Sequence, residues 1–134
     1  MESERDGGAT PDQPDDRESA YELFQRGDEL LSRRHFAAAA IVLERASRAE
    51  PGKASILEAL GRAYYGQGQP ALAAERFRAI VERDPVAHYA HFGLGLSAIR
   101  LGDAESARHH LRLAVTFKPE NEDYRRALER LEAA

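Results

Sequence analysis

Cysteine is absent from the 134 residues of this chain, which excludes disulfides, thiolate metal sites and cysteine nucleophiles. Tryptophan is absent as well, methionine occurs once, and Lys supplies only two of the nineteen basic residues. Long apolar runs are missing. The longest, around Ala37–Leu43, falls far short of the ~20 residues that a membrane span needs. The N-terminus is acidic and polar, without the basic-then-apolar order of a secretory signal. These absences lead to the expectation of a soluble, cytoplasmic protein with no membrane insertion. The preference for Arg over Lys, with abundant Ala, suggests a GC-rich, bacterial genome.

Net charge is concentrated at one end. Residues 1–18 hold seven acids and two arginines, a balance of −5, whereas the other 116 hold seventeen bases and sixteen acids, a balance of +1. A nearly neutral body lacks the concentrated basic face that phosphate binding requires, so no nucleic-acid partner is expected. Residues 1–18 also carry Gly7-Gly8, Pro11 and Pro14, with Met1 the only large apolar side chain. Such a segment cannot bury enough apolar surface to offset its ordering entropy, and a disordered acidic tail is expected.

What the chain has in plenty is repetition. Gly27, Gly61 and Gly95 stand 34 residues apart, as do Ala39, Ala73 and Ala107, and Pro51, Pro85 and Pro119. Leu43, Phe77 and Leu111 keep the same step, and so do Ala46, Ile80 and Ala114. A period of about 20–50 residues marks an architecture of stacked repeats. Apolar residues recurring at three- and four-residue steps read as helices from Ser19 to about Arg33 and from Phe36 to about Glu50. Further helices are expected over about Lys53–Gln67, Pro70–Arg83, Val86–Leu101, Asp103–Phe117 and Asn121–Glu132. Pro70 suits a first helical turn, and Asp103 and Asn121 suit N-caps. Three antiparallel pairs and a single last helix follow, an all-α chain. The last helix would cover the terminal apolar face with Tyr124, Leu128 and Leu131, and turn Arg125, Arg126, Glu129 and Arg130 to solvent.

The segment from Ala59 to Gly68, followed by Ala73, Phe77, Ile80 and Pro85, resembles the tetratricopeptide (TPR) repeat. Leu94-Gly95, Gly102-Asp103, Ala107, Leu111, Ala114 and Pro119 repeat the likeness. In the first copy Arg26 precedes Gly27 where Leu is usual, and Arg34 stands where the turn glycine is expected. The resemblance implies a right-handed α-solenoid with repeats at 20–53, 54–87 and 88–121 and a capping helix at 122–134. It also implies which side chains face the concave groove. These are Tyr21, Phe24, Asp28 and Leu31 in the first repeat, Ser55, Glu58, Arg62 and Tyr65 in the second, and Tyr89, Phe92, Leu96 and Ile99 in the third. Five aromatic and three aliphatic residues among them suggest a patch that receives a ligand.

The carboxylate clamp of chaperone-binding family members is not expected. The matching positions are Phe24 and Asp28, Ala59, and Tyr89 and Gly93, none of which grips a carboxylate. Arg62 and Arg100 remain able to bind an acid, but Arg62 follows Glu58 by four residues, so an internal ion pair, with Asp28 nearby, is the simpler role. His88 and His91 share a helix face without a third ligand, and His109 and His110 point about 100° apart and read as ordinary helix positions, so no metal site is expected. Glu44, Glu75 and Glu105 read as a solvated face. No phosphate loop, nucleophile elbow or paired carboxylate is present, so neither catalysis nor a cofactor is expected. The expected function is protein–protein interaction, as an adaptor or co-chaperone-like module holding an apolar or aromatic segment of a partner. The alternative is a homodimer or assembly element built on the same apolar face.

Overall fold

The structure, a computed structural model, describes residues 18–134. The tail expected at residues 1–18 therefore lies outside the described residues, apart from Glu18. Seven α-helices and no strands occur among the described residues. They are α1 (Ala20–Ser32), α2 (Phe36–Ala49), α3 (Ala54–Gly66), α4 (Pro70–Arg83), α5 (His88–Arg100), α6 (Ala104–Phe117) and α7 (Glu122–Ala133). The odd-numbered helices start at 20, 54, 88 and 122, and the even-numbered ones at 36, 70 and 104, so every step is 34 residues. The sequence period is the period of the fold.

Local chemistry sets the helix ends. Ser19 caps α1 through a reciprocal box: its hydroxyl accepts from the Glu22 N–H at 3.1 Å while the Glu22 carboxylate accepts from the Ser19 N–H at 2.9 Å. The Asp103 carboxylate accepts from the Ser106 N–H, and the Asn121 side chain from the Tyr124 N–H, as capping residues should. Pro70 occupies the first turn of α4, where its missing donor is not needed.

Each helix packs on its neighbours in the chain, and α3 also touches α1 and α5. Within each pair a glycine of the first helix faces a bulky residue of the second. A Cβ at Gly27 would lie 2.5 Å from Leu43, one at Gly61 2.5 Å from Phe77, and one at Gly95 2.7 Å from Leu111. The reciprocal alanines Ala39, Ala73 and Ala107 are fully buried. The recurring small and large residues of the sequence are thus the two sides of one contact, made three times.

Two expectations are corrected by the packing. Glu44 is half-buried rather than on a solvated face: its carboxylate accepts from the Tyr64 hydroxyl and pairs with the Arg76 guanidinium at 2.8 Å. The cluster joins α2, α3 and α4 across the boundary between two pairs. Burial, and then the hydrogen bond to Glu44, raise the Tyr64 hydroxyl above its ordinary pKa. His110 is not an ordinary helix position either. Its ring stacks on that of the buried His91 of α5, with centroids 5.3 Å apart.

On α7, Tyr124 is buried against the α5 end of the stack, its ring 4.6 Å from that of Phe92 and its hydroxyl 2.7 Å from His88 Nδ1. Arg126, Glu129 and Arg130 are exposed, while Arg125 is half-buried. No helix among the described residues is long and apolar enough to cross a membrane.

Candidate functional site

An open groove of about 480 Å³ runs across the first helices of the pairs. Leu31 of α1, Arg62 and Tyr65 of α3, and Tyr89, Phe92 and Leu96 of α5 line it, six of the residues expected there. Tyr21 and Phe24 lie elsewhere, in a smaller hollow of about 320 Å³ shared with Ala20, Glu50, Lys53, Ser55 and Ile56. Asp28, Glu58 and Ile99 line neither hollow. Asp28 and Ile99 are exposed and Glu58 is half-buried.

The floor includes residues that a list of first-helix positions omits. Phe36 of α2 and Phe77 of α4 both reach the groove. They do so because glycines let them in. A Cβ at Gly66 would meet the Phe36 ring at 2.5 Å, and one at Gly93 would meet the Phe77 ring at 2.6 Å. Gly66 and Gly93 stand off the 34-residue step, and a helical glycine outside the repeat pattern was the signal that a neighbouring side chain comes close.

The rim is basic. Arg62 makes a loose pair with Glu58, Nε to carboxylate 3.9 Å. Burial raises the Glu58 pKa, Arg62 opposes that shift, and the nearby Asp28 charge adds to it. Arg34, in the turn after α1, and Arg100, at the end of α5, line the groove as well. Arg34 lies 5.2 Å from the centre of the Phe36 ring and Arg100 4.4 Å from that of Tyr65. Neither has a carboxylate partner among the described residues. Burial, with Asp84 and Glu58 nearby, raises the Tyr89 hydroxyl above its ordinary pKa.

Three histidines, His88, His91 and His110, hold each other or a neighbour. His88 engages Tyr124, while His91 engages His110 and the Pro85 carbonyl. Among the described residues no three His, Asp or Glu side chains are grouped to hold a metal ion.

Comparison with curated protein sequences gives no match. Solved structures do match. The first TPR domain of Spaghetti (RPAP3), bound to the HSP90 peptide SRMEEVD, superposes with a TM-score of 0.81 at 16% identity, over 86% of this chain and 91% of that one. The Sgt2 TPR domain from Aspergillus fumigatus gives 0.80 at 21% identity, over 98% and 83%. MamA from Desulfovibrio magneticus gives 0.80 at 22% identity, over 86% and 65%. Identities this low speak to the fold alone. The tetratricopeptide-repeat family model matches residues 24–68 and again 58–122, most of the chain, the two matches starting 34 residues apart. By this match the chain belongs to the tetratricopeptide-repeat family.

Proposed function

We propose that the chain is a non-catalytic protein–protein interaction module that holds a short apolar or aromatic segment of another protein in its groove. One observation carries this reading. The hollow is open to solvent yet lined by Phe36, Tyr65, Phe77, Tyr89 and Phe92, with Leu31 and Leu96 among them. Apolar surface gathered in a concavity and rimmed by charge is the pattern of a binding site rather than of a solvated face. The peptide-bound neighbour supports it by fold, although the clamp positions of this chain are Phe24, Asp28, Ala59, Tyr89 and Gly93. A single segment in the groove buries less than about 1,200 Å², in the range of transient contacts, and micromolar affinity is expected.

The test is capture of partners from lysate by wild type and by Tyr65→Ala/Leu96→Ala, read by mass spectrometry. Loss of the same partners from the variant, with its helical signal retained, is the expected result. An identical partner set would move the contact to another surface. A mass that rises with protein concentration would favour the homodimer instead.

A further inference from the structure

Each turn inside a helix pair puts one residue in the left-handed region of backbone space. In two turns it is glycine, Gly68 at φ 78° and Gly102 at φ 80°; in the first it is Arg34, at φ 62°. Glycine takes this conformation freely, whereas any other side chain strains it. Arg34 is the only non-glycine residue so held among the described residues. The turn itself has no need of arginine, since the same turn is built twice with glycine. What the arginine adds is a guanidinium at the groove, resting over Phe36 without a carboxylate partner among the described residues. Arg100 is placed alike, over Tyr65. A guanidinium held on an aromatic face keeps its N–H edges free for a ligand.

Resting on the groove reading above, we propose that the occupant is a partner's acidic segment with an apolar anchor. Its carboxylates pair with Arg34 and Arg100 at the rim, and a neighbouring aromatic or aliphatic side chain seats on Phe36, Phe92 and Leu96. Charge complementarity argues for the acid: two exposed guanidinium forks without a carboxylate partner among the described residues border the hollow, and such forks match carboxylates in two-point contact. The aromatic floor argues for the anchor, because an anion alone leaves it unused.

The experiment is selection of displayed short random peptides on the full chain, followed by affinity measurement with the enriched peptides on wild type and on Arg34→Gly/Arg100→Gln. Arg34→Gly installs the residue that the other two turns carry, and the melting temperature of the variant verifies that it folds. Enriched peptides are expected to set Asp or Glu beside Phe, Tyr, Leu or Ile. Affinity is expected to fall about ten-fold or more with the variant, and equally when the peptide's acid is replaced by its amide. Apolar peptides without acids, bound equally by wild type and variant, would overturn the arginine assignment and leave the groove reading standing. Acidic peptides without an apolar residue, or peptides indifferent to Tyr65→Ala/Leu96→Ala, would overturn both. So would an absence of enriched peptides with a concentration-dependent mass, which would make a second copy the occupant.

Discussion

The Nδ1 atoms of His91 and His110 face each other at 3.1 Å across the α5–α6 contact. His91 Nε2 lies 2.8 Å from the Pro85 carbonyl, which can only accept, so that nitrogen carries the proton. His91 Nδ1 is then a lone pair that accepts from the Nδ1–H of His110. Burial lowers the His110 pKa to about 4, helped by His91, His109 and the Arg78 guanidinium. The unfolded chain, titrating near 6.5, takes up this proton first. Stability is therefore full above about pH 6.5 and is lost as pH falls toward and through 4. Thermal melts across that range are expected to show an acid slope that His110→Asn reduces. An unchanged slope would remove His110 from the account.

Arg34→Gly is expected to stabilise the fold. Relief of a left-handed side chain is worth about 1 kcal/mol, less the extra freedom that glycine has when unfolded. A rise in melting temperature of a few degrees, with weaker capture of acidic peptides, is the paired outcome. A lower melting temperature would mean that the Arg34–Phe36 contact outweighs the strain.

Two glycine-to-alanine changes should fail for different reasons. At Gly61 the new methyl would lie 2.5 Å from Phe77, whose ring also lies against Gly93. Helix propensity favours alanine there by up to about 1 kcal/mol, yet overpacking costs ~1–3 kcal/mol, so net destabilisation is expected. At Gly68 nothing lies within 4 Å, and the cost is the backbone strain at φ 78°, about 1 kcal/mol. Denaturant melts of both variants check this. A neutral Gly61→Ala would show that Phe77 has room to move.

Glu44 and Arg76 should behave as a unit. Arg76→Met leaves a half-buried carboxylate with the Tyr64 hydroxyl as its one side-chain partner among the described residues, and a loss of ~1–3 kcal/mol is expected. Glu44→Gln in that background should recover part of the loss. A double-mutant cycle measures the coupling, and a coupling near zero would make the pair a surface ion pair of little consequence.

The fold was legible because the small–large contacts of Gly27 with Leu43, Gly61 with Phe77, and Gly95 with Leu111 recur at one period, and because Asp103 and Asn121 are ordinary caps. The groove was legible where first-helix positions define it, at Tyr65, Tyr89, Phe92 and Leu96. Phe36 and Phe77 were not, because they belong to second helices and reach the hollow only past Gly66 and Gly93. Nor was the His91–His110 contact. Its partners lie on different helices 19 residues apart, and no periodicity relates them. Arg34 was visible as a departure from the turn glycine, but its left-handed backbone and its place at the rim belong to three dimensions.

Phe77 holds two offices at once. Its ring is wedged between Gly61 of α3 and Gly93 of α5, and the same ring forms part of the groove floor. Whatever rests there presses on the seam between the second and third repeats. Occupancy and cohesion are then one equilibrium: a bound segment should slow amide exchange along α4 and α5, and a loosened seam should weaken the grip on its guest.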